Sequence, residues 1–163
     1  MDPEAAPGRT ALSKSMETNL NRTFKYILGI QSFANSDSGA AIVRTATDGE
    51  ILDYVAISEE RLIRRKYPYT FPLHSLGYCM EHFGLESLDQ IDVLVTDNIR
   101  IKRWFRSGPT YPGTDFDYIK TKLDIDPRKI VVIGHHEAHA ASTYYTSGYS
   151  DAAILIVDGN GPD

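Results

Sequence analysis

An aspartate–glycine pair, Asp48-Gly49, separates two apolar runs of strand length, Gly39 to Arg44 and Ile51 to Ser58. The tightest hairpin turns need left-handed backbone angles, which Gly supplies and Asp tolerates, so these two runs are expected to pair antiparallel. Upstream, Tyr26 to Phe33 is apolar and aromatic and reads as another strand. The polar turn Asn35-Ser-Asp-Ser-Gly39 joins it to the hairpin, with side chains that hydrogen-bond their own backbone. An antiparallel meander of three strands therefore opens the ordered part of the chain.

The pattern then changes period. Leu73, Leu76, Met80 and Phe83 recur at helical spacing, with Pro72 at the first turn and Gly84 at the end. Ile91 to Thr96, Ile130 to Ile133 and Ala152 to Val157 are short apolar runs, as expected of parallel strands buried on both faces. A short helix over Phe116 to Leu123 and another from Glu137 to about Ser147 separate them. The expected order is β-β-β-α-β-(α)-β-α-β, an α/β mixed sheet with flanking helices over residues 23–163. Residues 1–22, rich in Ala, Pro, Ser, Thr and Asn, read as a flexible leader. Residues 98–114, with Gly108-Pro109 and Pro112-Gly113, read as a long loop.

Composition narrows the functional classes. A net charge of −5 speaks against a general nucleic-acid binder, which needs excess cations. No apolar run approaches the ~20 residues of a membrane span, and no signal peptide is indicated, so the expectation is a cytoplasmic protein. Cys79 is the single cysteine, which excludes an internal disulfide and a thiolate metal cage; it reads as a small buried residue.

The chemistry-bearing residues gather late in the chain. His135 and His139 are four residues apart, on one face of a helix that follows a strand. Asp158 closes the last apolar run, where a neighbouring parallel strand would deliver its carboxylate to the same rim. Two imidazoles and a carboxylate form a partial metal site. The plainer reading makes them helix-terminus histidines, one capping and one packed on Tyr144. His136 would point about 100° away. Arg61, Arg64, Arg65 and Lys66 place four cations within six residues. They form either a solvated face, paired with Glu59 and Glu60, or an anion clamp. Asp37-Ser38-Gly39 and Asp158-Gly159-Asn160-Gly161 are glycine turns that let backbone amides approach anionic oxygens. Lys102-Arg-Trp-Phe-Arg106 alternates basic and aromatic groups, as a single-strand nucleic-acid surface or a loop facing a sugar or a partner does, but a partly buried Trp104 with snorkelling arginines is the preferred reading. Tyr144, Tyr145 and Tyr149 are expected to pack the core edge.

Three blocks together resemble the NodU/CmcH family of O-carbamoyltransferases. They are Gly29-Ile30 with Asp37-Ser-Gly-Ala-Ala41; Ile57-Ser-Glu-Glu-Arg-Leu62 with Arg65-Lys66 and Phe71-Pro72; and His135-His-Glu-Ala-His-Ala-Ala-Ser142 with Tyr144-Tyr145, Ser147-Gly148 and Asp158-Gly-Asn-Gly161. The resemblance implies a ribonuclease-H-like layer, the half-domain used twice in the actin-like ATPase superfamily and related to the tRNA threonylcarbamoyladenosine enzyme. It also implies carbamoyl transfer from carbamoyl phosphate, with ATP and a divalent metal, to a hydroxyl of a glycan or natural product. Fe2+ is the favoured metal, Zn2+ or Mg2+ the alternatives, and a lipo-chitooligosaccharide of the Nod-factor type the favoured acceptor.

On this resemblance His135, His139 and Asp158 would be metal ligands, and Lys66 the catalytic residue at carbamoyl phosphate. Asp37, Ser38, Gly39, Arg65, Lys66, Gly159 and Gly161 would line the phosphate and nucleotide sites. One position departs: Ser36-Asp37-Ser38 stands where the family reads His-Asp-Ser, so a hydroxyl replaces an imidazole. The family's second lobe and C-terminal domain have no counterpart here, so the chain is expected to be a truncated first lobe. Three readings follow: part of a carbamoyltransferase, a non-catalytic subunit of a split enzyme that needs a second polypeptide, or a stand-alone metal hydrolase.

Overall fold

The computed structural model describes residues 23–31, 38–66, 68, 70–97, 119, 120 and 122–157. Its centre is a five-stranded mixed sheet in the order β3-β2-β1-β4-β5. The strands are β1 (Phe24–Gln31), β2 (Gly39–Ala46), β3 (Ile51–Ser58), β4 (Val93–Asp97) and β5 (Ile130–Ile133). Among the described residues, helices α1 (Glu59–Ile63), α2 (Leu73–His82) and α3 (His135–Ser147) flank it, and Ile119, Leu123 and Ile125 from the segment before β5 join the core.

The meander forms as expected. Gly49 adopts φ +96° in the β2–β3 turn, the conformation that the hairpin requires. The β1–β2 ladder runs from Phe24 opposite Ala46 to Gln31 opposite Gly39, and the β2–β3 ladder brings Gly39 opposite Ser58. Gly39 is needed at that junction, since a Cβ there would lie 3.0 Å from the Ile57 carbonyl oxygen. β4 then enters parallel to β1, with Ile27 opposite Val93, and β5 lies parallel to β4.

The two faces of the sheet differ. On one, Leu28, Ile30, Ala40, Ile42 and Leu94 pack with Leu76 and Cys79 of α2 into the core. Each fully buried Leu or Ile in this set contributes roughly 1.5–3 kcal/mol. The buried ridge of α2 is Ser75, Leu76 and Cys79. Leu73, which helical spacing placed on that ridge, is 54% exposed. Burial also raises the Cys79 thiol above its ordinary pKa, in keeping with a packing role. On the opposite face Gly29, Ala41, Ala56 and Val95 border a cavity.

Helix α2 is capped from a distance. Glu59, 1% exposed, accepts hydrogen bonds from the backbone and Nδ1 of His74 (3.2 and 2.6 Å) and from the backbone and Oγ of Ser75 (both 2.7 Å). Burial acts to raise the Glu59 pKa, but the donors of Ser75 and His74 outweigh it and hold the carboxyl below its ordinary value. Glu59 is thus not a partner of the arginine run. On the surface Glu60 meets Arg61 at 3.8 Å.

Three expectations are corrected. Residues 152–157 form no strand. Leu155 and Val157 are 88% and 86% exposed, and no strand of the sheet pairs with them. An apolar run adopts a strand only where a neighbouring edge satisfies its backbone, and β5 does not serve this segment. Tyr145 and Tyr149, expected at the core edge, are 78% and 70% exposed: Tyr145 lies on α3, which contributes no buried residue, and Tyr149 follows the end of that helix. Helix α3 begins at His135, two residues before the expected start, where the Glu137 carboxylate accepts from the Gly134 amide. The basic–aromatic segment over residues 102–106 lies outside the described residues, as does the start of the helix expected over residues 116–123.

Candidate functional site

The site begins at the carboxyl ends of the two parallel strands. Asp97 is the last residue of β4 and lies opposite Ile133, the last residue of β5. Gly134 turns the chain into α3, and the first helical residue, His135, comes back over Asp97. The His135 Nδ1 sits 3.2 Å from Asp97 Oδ2, and the two side chains are only 11% and 12% exposed. One helical turn later the His139 ring stands at 82° to that of His135, with centroids 4.5 Å apart. The two Nε2 atoms are 3.1 Å apart. The i, i+4 spacing thus places both imidazoles on one face of the helix, with their Nε2 atoms within hydrogen-bond distance of each other.

These groups form one wall of a cavity of about 580 Å³. Its opposite wall includes Ser38 and Gly39 at the start of β2 and Ser58 at the end of β3. Ser38 is held from two sides: its carbonyl accepts from the Glu59 amide at 2.9 Å, and its hydroxyl donates to the Pro68 carbonyl at 3.3 Å. Small residues between the walls, Gly29, Ala41 and Ala56, leave the volume open.

Of the residues singled out in the sequence, Ser38, Gly39, His135 and His139 meet on this cavity. Arg65 and Lys66 are exposed and do not line it. Arg64 before them takes φ +54° and ends α1. Asp37, Asp158, Gly159 and Gly161 lie outside the described residues. Asp97 was missed, because the apolar run was read as ending at Thr96. The signal was present: a carboxylate directly after an apolar parallel strand, the logic that singled out Asp158.

The fit to a metal is partial. Nitrogens about 2.0–2.1 Å from a common ion, at an angle between octahedral and tetrahedral, stand about 3 Å apart, as the two Nε2 atoms do. Among the described residues, however, no group of three or more His, Cys, Asp or Glu is arranged to hold a metal ion. Asp97 is engaged with the far nitrogen of His135, on the side away from His139.

Comparison with known proteins gives a direction. The chain is 28% identical over 163 residues to nodulation protein NolNO of Sinorhizobium fredii, covering 92% of this chain and 23% of that protein. This chain is similar to a nodulation protein. It is also 30% identical over 166 residues to the uncharacterized protein sll1178 of Synechocystis sp., covering 83% of this chain and 26% of that one. The chain therefore spans about a quarter of the length of the curated relatives it matches. No family model matches the chain, and no solved structure does. Among the described residues, no helix is long and apolar enough to cross a membrane.

Proposed function

We propose that this chain forms one wall of the active site of a cytoplasmic, ATP- and metal-dependent O-carbamoyltransferase, within a larger or split enzyme. The acceptor would be a hydroxyl of a glycan or natural product, with a Nod-factor-type lipo-chitooligosaccharide preferred. One observation carries the reading: the Ser38-Gly39 turn and the His135–His139 pair, from sequence blocks almost 100 residues apart, meet on one cavity at the ends of parallel strands. The similarity to a nodulation protein supports it. So does the meander followed by two parallel strands, the arrangement expected of a ribonuclease-H-like layer.

In this reading His135 and His139 hold the metal together with Asp158. Lys66 and Arg65, which lie outside the cavity, would bind carbamoyl phosphate from its rim once the site is completed, and Asp37, Ser38, Gly39, Gly159 and Gly161 would lie beside nucleotide phosphates. When bound, a divalent metal (Fe2+, with Zn2+ or Mg2+ as alternatives) would neutralise and polarise phosphate oxygens. The chain's own part is to fix the imidazoles on a rigid helix start and to present the backbone of the Ser38-Gly39 turn to anionic oxygens.

The reading is tested by incubating the larger enzyme that contains this chain with carbamoyl phosphate, ATP and divalent metal and following carbamoyl phosphate consumption. Metal-dependent consumption that requires ATP, and is lost in His139→Ala, is the expected result. Unchanged metal content in His139→Ala would overturn the ligand assignment.

The second reading, a non-catalytic subunit that needs another polypeptide, is favoured by a separate observation. Helix α3 buries no residue, and Val131 and Val132 of β5 and Leu155 and Val157 after the helix are exposed. Exposed apolar area of this kind favours association. Activity that appears only on mixing with a second polypeptide is the outcome this reading expects.

A further inference from the structure

We infer that Asp97 is a positioning residue that fixes the tautomer of His135 and so turns its Nε2 lone pair toward the metal site proposed above. The inference rests on that metal reading and assigns the role of a residue that the resemblance does not include. An ionised carboxylate can only accept, so the 3.2 Å contact requires the proton on Nδ1 of His135. A neutral imidazole protonated there carries its lone pair on Nε2, which in the metal-free chain accepts from the Nε2–H of His139 at 3.1 Å and is the nitrogen that would turn to a metal.

The placement suits a fixed orienting group. Asp97 is the last residue of a strand hydrogen-bonded on both sides, with β1 and β5 as neighbours. Its register opposite Ile133 places it directly beneath the turn that delivers His135. Both side chains are close to nine-tenths buried, so water competes weakly for either. Carboxylates in this outer position set ring orientation and raise ligand basicity, and their loss typically costs about 10–100-fold in metal affinity. In Asp97→Asn the side chain keeps its shape but loses its charge and offers a donor as well as an acceptor, so the tautomer of His135 is no longer fixed.

The test has two arms on the full chain. The first records the imidazole nitrogens of the metal-free protein by long-range proton–nitrogen NMR, and needs no variant. It should find His135 protonated on Nδ1 with Nε2 free of a proton; neutral His135 protonated on Nε2 would overturn the inference. The second measures Zn2+ affinity by competition with a chromophoric chelator. Asp97→Asn, shown by its melting curve to be folded, should bind about 10–100-fold more weakly than the parent. Equal affinity in parent and variant would overturn the positioning role while leaving the metal reading intact. A parent chain with the stated tautomer but no Zn2+ binding would overturn the metal reading itself, and the role assigned to Asp97 with it.

Discussion

Replacing Glu59 by alanine removes one buried carboxylate that accepts four hydrogen bonds, two of them from backbone amides in the first turn of α2. First-turn amides have no partner within their own helix, and losing a cap typically costs about 0.5–2 kcal/mol. Hydrogen bonds to a charged group are each worth about 1.5–3 kcal/mol, but bonds that share one acceptor do not add. Together these place the loss at roughly 3–4 kcal/mol, a large share of the ~5–15 kcal/mol that holds a domain folded. At about 2–4 °C per kcal/mol for a chain of this size, the melting temperature should fall by roughly 6–16 °C.

The pH dependence gives the reasoning a second edge. Because the folded pKa of Glu59 lies below its ordinary 4.5, its ionised form stabilises the fold fully above that value. That contribution is lost as pH falls through the lower, folded value. The gap between parent and Glu59→Ala should therefore be widest at neutral pH and narrow in acid. Differential scanning fluorimetry or circular dichroism across the acid range measures it. A variant that melts with the parent at neutral pH, or a gap that stays constant into acid, would refute the capping argument. Glu60→Ala is the control: its contact with Arg61 is 3.8 Å long with the arginine side chain 77% exposed, and pairs of this kind contribute about 0–1 kcal/mol.

Leu94→Ala, at a fully buried position in β4, should cost about 2–5 kcal/mol in urea unfolding with an unchanged slope. The Asp126 carboxyl, which caps the turn before β5 and is gripped by the Arg128 side chain, should titrate at about 2 by NMR. Arg128→Ala should return it toward 3.8, and a midpoint that does not move would show that the pair is not formed in solution. Leu155→Glu, at a site 88% exposed, should leave the melting temperature within about 1 °C of the parent while reducing self-association in analytical ultracentrifugation. A large loss of stability there would mean that the segment is covered.

The meander, two of the three expected parallel strands and the helix over residues 73–82 were legible from residue order alone, because each depends on local periodicity and turn chemistry, although Leu73 of the expected stripe is exposed. Asp48-Gly49 specified its hairpin, and the strand Ile51–Ser58 has the ends that its pattern implied. The His135–His139 spacing likewise carried its meaning through, since helical geometry converts four residues into one face. What local pattern could not decide was pairing between distant segments. The apolar run over residues 152–157 has the composition of a strand yet pairs with none among the described residues, because a strand exists only where another edge meets it. Glu59 stands beside three arginines in the sequence but caps a helix 15 residues away, because the turn between α1 and α2 brings that helix start onto it. Asp97 becomes part of the site only when the β4–β5 register places it under His135, 38 residues later in the chain. Period and turn chemistry are properties of neighbours along the chain; caps, partner edges and the wall of a cavity are properties of neighbours in space.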